Sequence, residues 1–329
     1  MKQRAVVSLV LTLITCAPLA ASEKLEPIPN RLVVLTFDDS VKSHFTVAGP
    51  ILKKYGFGAT FFITEGFTFK TNKKDYMTWE EIRQLHDDGF EIGNHTRDHM
   101  GVNPSNLDKL KEQLQAIDDQ CKKHGIPKPT SFAWPGNSIT DKAFPILQEH
   151  GINFARRGGS PEHDYDPGRG YAYQPGEDHP LLIPSAGDAR PKWKMKDFVD
   201  AVLQAKQGRV AVLQFHGVPE GEHPWVHTPQ EQFEKYMRYL YLNKCKVIAV
   251  RDLAKYVDTT QTIDNPWAIV RKRQQEFQDQ LAIANKLRHA NQHAEEIERQ
   301  CEETCRPQRR RRLFEIFKPL RQRLFRRCR

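Results

Sequence analysis

The sequence lacks several features that would place it in other protein classes. No apolar run in the middle of the chain approaches the roughly 20 residues that a membrane-spanning helix needs. No CxxC pair is present, so a zinc ribbon is not expected. With 39% hydrophobic and 28% charged residues, the 329-residue chain is globular in composition and long enough for one large domain with an appendage, or for two modest domains.

The body of the chain also lacks the basic surface that its net charge of +9 suggests. The last 24 residues, Arg306–Arg329, hold ten arginines and one lysine against one glutamate, a formal charge of +10. The residues before Arg306 therefore carry about −1 in total. We expect no basic partner-binding surface on the body, because the basicity belongs to the tail.

The N-terminus carries a pattern typical of a secretory signal peptide. Two basic residues precede an apolar run from Ala5 to Thr15, and small residues follow up to Ser22. This arrangement predicts a signal peptide over residues 1–22 and an exported protein, in the periplasm, the cell envelope or outside the cell. The alternative is a lipoprotein signal that uses Cys16, although threonine is a poor residue before a lipidated cysteine.

Short β-type segments alternate with helical segments between residues 31 and 257. The β-type segments are apolar and often β-branched, as expected for parallel strands that are buried on both faces. About eight such repeats predict an α/β fold, a distorted (β/α) barrel of seven to eight strands, with a doubly wound open sheet as the alternative. The predicted strands are Leu32–Phe37, Ala59–Thr64, Phe90–Asn94, Ser131–Trp134, Ile152–Ala155, Leu181–Ile183, Val210–Phe215 and Lys246–Val250.

The composition changes after the barrel, which we assign to residues 23–258. Residues 259–305 are rich in glutamine, alanine, glutamate and arginine, and predict a helical extension. In residues 306–329 apolar side chains interleave with the arginines, as in a basic amphipathic helix at an interface. This tail is predicted to dock on an anionic envelope polymer or a membrane surface. One alternative is a solvated, disordered segment. Another is a segment that binds nucleic acid, which export of the protein disfavours. The sequence does not indicate the oligomeric state.

Three polar motifs stand at the ends of predicted strands. Asp38 and Asp39 follow the first strand, His95 and His99 follow the third, and His216 ends the seventh. Histidines four residues apart can meet on one helical face and grip a single divalent metal ion. Taken singly, each motif is also explained by solvated loop residues or by a core histidine that is bonded to backbone. Together they occupy the strand ends where a (β/α) barrel carries its chemistry.

The order and spacing of these motifs resemble the polysaccharide deacetylase family, the NodB-homology domains of carbohydrate esterase family four, from about Leu32 to Val257. The resemblance implies that Asp38 is the catalytic base and His216 the catalytic acid. It also implies that Asp39, His95 and His99 are the ligands of a divalent metal ion. Zinc is the expected metal, with cobalt or nickel as alternatives.

The same resemblance implies a secreted hydrolase that removes N-acetyl groups from an amino-sugar polysaccharide or oligosaccharide. The expected substrate resembles chitin, peptidoglycan or another envelope glycan. An O-acetyl esterase acting on an acetylated polysaccharide is one alternative. A catalytically weak barrel that binds glycans is another, and the complete set of five motif residues argues against it.

The chain departs from the family pattern in its third motif. Ala133 stands where the family carries an arginine that contacts the base, and it is followed by Trp134 and Gly136. We interpret this as subfamily variation, with Trp134 near the substrate and the Gly136 amide facing the oxyanion. Gln214 replaces the leucine that usually stands two residues before the acid histidine, which alters the presumed acetyl pocket.

The fourth motif of the family, an aspartate and a tryptophan that tune the acid, is not clear in this sequence. Asp188 and Trp193 are the nearest candidates. In the loop after the acid histidine, Trp225 is predicted to stack on a sugar ring, and packing inside a lid is the alternative.

Overall fold

A curled sheet of parallel strands forms the centre of the protein in a computed structural model, which describes residues 24–164, 167–261 and 263–325. The predicted signal peptide lies outside the described residues. The pairs between named strands are all parallel, and the strands are buried on both faces, apart from one exposed residue in β9. Within the described residues the strands are β1 (Leu32–Phe37), β2 (Thr60–Ile63), β3 (Glu91–Asn94), β4 (Ser131–Ala133), β5 (Phe154–Arg157), β6 (Ile183–Pro184), β7 (Gly187–Asp188), β8 (Ala211–Phe215) and β9 (Lys246–Ile248).

One short segment joins the two edges of this sheet. The strand order is β6-β5-β4-β3-β2-β1-β8-β7, with β9 beside the first half of β1. Only two residues separate β6 from β7. Of these, Ser185 donates its N–H to Arg157 O and Ala186 donates to Val212 O. The segment thereby connects β5 to β8, and the predicted distorted barrel is confirmed.

Helices cover the outside of the barrel. The second begins with a capping box, in which Thr78 accepts from the Glu81 N–H and the Glu81 carboxylate accepts from the Thr78 N–H. Among the described helices, none combines the length and apolar character needed to cross a bilayer. The α-helices are α1 (Gly49–Tyr55), α2 (Trp79–Asp87), α3 (Leu107–Lys123), α4 (Phe144–Glu149), α5 (Met195–Val202), α6 (Gln230–Leu242) and α7 (Ala268–Phe325).

Helix α7 corresponds to the helical extension predicted over residues 259–305, but it begins at Ala268 and continues to Phe325. Its first turn packs on the barrel, where Ile269 and Val270 are buried in an apolar cluster with residues of α3 and α4. The side chains of the predicted basic tail, residues 306–329, lie outside the described part of the chain.

The fifth strand ends two residues later than predicted. Both Arg156 and Arg157 belong to β5 and are buried, although arginines at the end of an apolar segment suggest solvent. Each guanidinium is paired with a buried carboxylate, which is the condition under which arginine is found inside a protein. This shift places two arginines at the edge of the barrel mouth.

Candidate active site and metal centre

A cleft of about 190 Å³ opens at the carboxyl ends of the parallel strands. The motif residues that follow β1, β3 and β8 all line it. Five side chains that are up to 178 positions apart in the sequence therefore share one cavity: Asp38, Asp39, His95, His99 and His216.

Asp39, His95 and His99 form a cluster that fits a metal ion. The Asp39 Oδ1 atom lies 3.4 Å from His95 Nε2 and 3.3 Å from His99 Nε2, and it is buried with no hydrogen-bond partner. His95 Nδ1 lies 2.8 Å from the carbonyl oxygen of Ala133. A carbonyl can only accept, so Nδ1 carries the hydrogen and Nε2 keeps a lone pair that faces Asp39. One carboxylate oxygen and two imidazole nitrogens are thus available to one cation.

The backbone around this cluster adopts conformations that L-residues rarely occupy. Asp39, Thr96 and His99 have φ of 76°, 55° and 53°. Local hydrogen bonds hold these turns, since Asn94 Oδ1 accepts from the Thr96 N–H and Thr64 Oγ1 from the His99 N–H, both at 3.0 Å. Strain of this kind persists only when surrounding contacts impose it, and it is common at functional sites.

The charges of the cluster favour metal ligation at neutral pH. Burial raises the pKa of Asp39, but the contact with His95 and the nearby imidazoles of His216 and His99 outweigh burial and hold this pKa well below its ordinary value. Burial lowers the pKa of His99 to about 4. Asp39 is therefore an anion and His99 a neutral imidazole, the forms in which they bind cations.

A buried arginine supports Asp38, the predicted base. Arg156 Nη2 lies 2.5 Å from Asp38 Oδ1 and 2.6 Å from Oδ2, and Gln214 Nε2 donates to Oδ2 at 3.1 Å. Arg156 is the direct register partner of Ala133 across β4 and β5. The guanidinium next to Asp38 thus comes from the strand beside the third motif, and Gln214 binds the same carboxylate.

His216 stands between the carboxylates of the cleft. Its Nε2 lies 3.9 Å from Asp38 Oδ2 and 3.9 Å from Asp39 Oδ2. On the other side of the ring, Asp188 Oδ1 lies 3.8 Å from Nδ1, and the second Asp188 oxygen pairs with Arg190. Burial raises the pKa of Asp188, an effect that the charges of His216 and Arg190 reduce. Asp188 thus faces the imidazole of His216.

His44 contacts the backbone of His216 and was missed by the sequence analysis. It is fully buried between the rings of Phe37 and Phe61, and its Nε2 lies 3.1 Å from the backbone oxygen of His216. Burial lowers its pKa to about 4, so at neutral pH it is a neutral ring whose Nε2–H donates to that carbonyl. His44 thereby fixes the main chain that carries His216.

Three of the remaining predicted site residues, Trp134, Gly136 and Trp225, occupy different depths of the cleft. Trp134 is 2% exposed, and its indole N–H donates to Leu181 O, so most of the ring belongs to the core. Gly136 lines the cleft with φ of 57°, and Trp225 stands at the rim with 59% of its surface exposed. Trp193 does not line the cleft; its indole donates to Pro167 O.

Phe67 extends the rim and was also missed by the sequence analysis. It is 47% exposed, and its ring centre lies 4.6 Å from that of His99 and 4.7 Å from that of His223. The ring of His223 in turn lies 5.1 Å from Trp225. We call Phe67, His223 and Trp225 the aromatic rim, a continuous row of rings beside the metal cluster.

Comparison with known proteins yields one family. A family model described as polysaccharide deacetylase matches residues 26–155. The poly-beta-1,6-N-acetyl-D-glucosamine N-deacetylase of Staphylococcus aureus is 28% identical over 137 residues, 38% of this chain and 47% of the relative. The peptidoglycan-N-acetylglucosamine deacetylase of Bacillus cereus is 29% identical over 127 residues, 38% of this chain and 56% of the relative. The chain thus spans about half the length of these curated relatives.

Solved structures provide a further likeness. The family 4 carbohydrate esterase PdaA of Bacillus subtilis superimposes with a TM-score of 0.48 and 17% sequence identity, over 70% of this chain and 83% of that chain.

Proposed function

On the premise that residues 26–155 match the polysaccharide deacetylase family, we propose that the chain is a metal-dependent carbohydrate N-deacetylase. It would remove N-acetyl groups from an amino-sugar polysaccharide or oligosaccharide, the kind of compound named for its S. aureus and B. cereus relatives. The observation that carries the proposal is the convergence of a three-ligand cluster, a carboxylate and an imidazole in one cleft.

Asp39, His95 and His99 would hold a divalent cation. Their oxygen and nitrogen donors suit zinc, and cobalt and nickel accept the same set. An ion in this place would polarise a carbonyl oxygen and lower the pKa of a bound water. The orphaned Oδ1 of Asp39 and the fixed tautomer of His95 are the features of this chain that support such a site.

Asp38 would accept the proton of the attacking water. Its carboxylate is oriented by Arg156 and Gln214, and it lies in the cleft next to the ligand Asp39. The water oxygen adds to the carbonyl carbon of the acetamide, and the proton goes to Asp38. General bases of this type contribute about 10²–10⁴ to the rate.

His216 would donate a proton to the amide nitrogen while the carbon–nitrogen bond breaks, which yields acetate and a free amine. Asp188 faces the other ring nitrogen, so we assign to Asp188 the role of orienting the His216 ring. The Gly136 N–H would face the developing oxyanion beside Trp134. The aromatic rim, including Trp225, would stack on a sugar ring, since exposed rings offer large apolar faces.

The two ends of the chain complete the proposal. Residues 1–22 would direct export as a signal peptide. Residues 306–329 would hold the enzyme on an anionic envelope polymer or a membrane surface through their arginines. The barrel of residues 23–258 would carry the chemistry, with residues 259–305 as its helical extension.

Acetate release tests this function directly. Chitooligosaccharides, peptidoglycan and acetylated xylan would be incubated with the protein, after chelation and after addition of zinc, cobalt or nickel. We expect metal-dependent release from the N-acetylated substrates. Release from xylan alone would indicate an O-acetyl esterase, whereas glycan binding without release under any metal would indicate a binding protein.

A further inference from the structure

The loop that follows β5 forms one wall of the cleft. Gly158, Gly159, Ser160 and Asp164 line the cavity that also contains the metal cluster. The Asn137 side chain, which lines the cleft too, bonds this loop twice, to the Gly158 N–H at 2.8 Å and to Ser160 O at 3.1 Å. The path of this backbone therefore sets the shape that a substrate meets.

Arg157 holds the first turn of this loop from inside the protein. Its Nη1 donates to Gly158 O at 3.2 Å and to Ser160 O at 2.9 Å. The same guanidinium binds both oxygens of Glu162, at 2.8 and 2.5 Å, and neither side chain is exposed. A two-point pair of this kind fixes orientation as well as distance.

Arg273, in the second turn of α7, joins this buried network. Its two terminal nitrogens donate to the two oxygens of Asp178 at 2.7 and 2.8 Å, and Nη1 lies 3.9 Å from Glu162 Oε1. The guanidinium lies 5.1 Å from the centre of the Tyr171 ring, and the side chain is buried. Two arginines and two carboxylates thus balance each other beneath the loop.

Two further contacts link the same turns of α7 to the loop. Gln274 Nε2 donates to Pro161 O at 2.9 Å, and the Phe277 ring packs edge-on against His163 with centres 4.5 Å apart. The helix is docked independently by its buried apolar residues Ile269 and Val270. Loss of Arg273 would therefore disturb the loop without necessarily releasing the helix.

We propose that Arg273 is a positioning residue of the substrate cleft, which acts through Glu162 and Arg157 on the loop of residues 158–164. The start of α7 is then part of the machinery that recognises the carbohydrate. This inference rests on the proposed deacetylase function for its kinetic test. Its physical basis is that removal of Arg273 leaves Asp178 buried without its counter-charge and removes the cation next to Glu162.

The test compares Arg273→Gln with Arg271→Gln, an exposed arginine two residues earlier on the same helix. Acetate release from an N-acetylated oligosaccharide gives KM and kcat separately. We expect Arg273→Gln to raise KM about tenfold while kcat stays within about threefold, because the chemical groups remain in place and the binding wall is displaced. Zinc affinity should stay unchanged, and Arg271→Gln should behave as the unaltered protein. If Arg273→Gln does not fold, Arg273→Lys, which keeps the charge and loses the two-point contact, carries the same test.

Hydrogen–deuterium exchange separates this inference from the proposed function. Amides of residues 158–164 should exchange about tenfold faster in Arg273→Gln than in Arg271→Gln, since local opening sets this rate. If the unaltered protein releases no acetate from any substrate, the proposed function fails and this exchange still decides the role of Arg273. A lower melting temperature with unchanged KM and unchanged exchange in the loop would overturn the inference, because Arg273 would then only fasten the helix.

Discussion

Ala133 and Arg156 are register partners on neighbouring strands, and Arg156 reaches Asp38 with the guanidinium that position 133 lacks. Register partners project on the same side of the sheet, so a long side chain at either position can enter the same space. The guanidinium beside Asp38 therefore comes from β5, while β4 offers only the methyl group of Ala133 at the paired position.

Removal of this guanidinium should impair both catalysis and folding. We expect Arg156→Met to lower kcat about 100-fold, because Asp38 loses the group that orients it. The variant should also lose about 3–5 kcal/mol of unfolding free energy, since it leaves a buried carboxylate without its partner. Steady-state acetate release and urea unfolding measure the two effects. If Arg156→Met has a normal kcat, Arg156 has no part in the proposed mechanism.

The exchange variant Ala133→Arg/Arg156→Ala tests whether the strand of origin matters. Its kcat should be at least about tenfold higher than that of Arg156→Ala, because the new arginine can approach Asp38 through the volume that Arg156 has vacated. Recovery of folding without recovery of kcat would mean that the approach from β5 is required.

Substitution of the proposed base and substitution of a proposed ligand should have different effects on the metal content of the protein. Asp38→Asn removes a base and no ligand, so we expect turnover to fall by about 10²–10⁴ with zinc content nearly intact. His95→Ala should lower zinc affinity and turnover together. Metal analysis by mass spectrometry, alongside acetate release, distinguishes the two cases. The exposed Asp264→Asn is the matched control, and an Asp38→Asn variant with most of its activity would contradict the mechanism.

The sequence predicts the barrel and the five motif residues because both depend on local patterns. Buried parallel strands appear as short apolar runs, and Asp38, His95 and His216 stand beside the ends of such runs. Arg156 was missed because the predicted fifth strand ended at Ala155, one residue earlier. Its burial depends on Asp38, 118 positions away, which no local pattern reveals.

Other features escape sequence analysis for the same reason. The strand β7 has two residues, too few for any periodicity, and its place in the sheet comes from pairing with β8. Residues 158–180 are rich in glycine and proline, a composition typical of a surface loop. Glu162 and Asp178 are nevertheless buried there, because Arg157 and Arg273 neutralise them.

His44 should make the folded state sensitive to mild acid. In the folded protein its pKa is lowered from 6.5 to about 4, whereas the unfolded chain binds the proton near 6.5. Unfolding therefore takes up a proton between these values, and stability should fall as the pH drops from 6.5 towards 4. The shift corresponds to a loss on the order of 3 kcal/mol at the acid end.

The variant His44→Gln isolates this effect, because glutamine can donate to the His216 carbonyl and does not titrate in this range. Urea unfolding between pH 4 and 7 should show a smaller loss of stability for His44→Gln than for the unaltered protein. The exposed His289→Gln serves as the control and should keep the original slope. Equal slopes in all three proteins would contradict the assignment of the acid sensitivity to His44.

The tail from Arg306 onward should be separable from catalysis. The five motif residues lie between Asp38 and His216, and the α7 residues that contact the loop of residues 158–164, namely Arg273, Gln274 and Phe277, precede Arg306 by at least 29 positions. Ten arginines in 24 residues cannot all be buried without partners, because each unpaired buried charge costs several kcal/mol. We therefore expect a protein truncated after Cys305 to hydrolyse a small soluble oligosaccharide with unchanged kcat and KM.

The same truncation should reduce retention on vesicles that contain anionic lipid and on cell-wall material. Binding by the full chain should weaken as salt is raised, because the Debye length is only about 8 Å at physiological ionic strength. Neutral vesicles provide the control, since an electrostatic partner requires negative charge. If the truncated protein is still retained, the barrel and not the tail would be responsible for docking. Loss of activity on the small oligosaccharide in a folded, truncated protein would show instead that the tail contributes to the cleft.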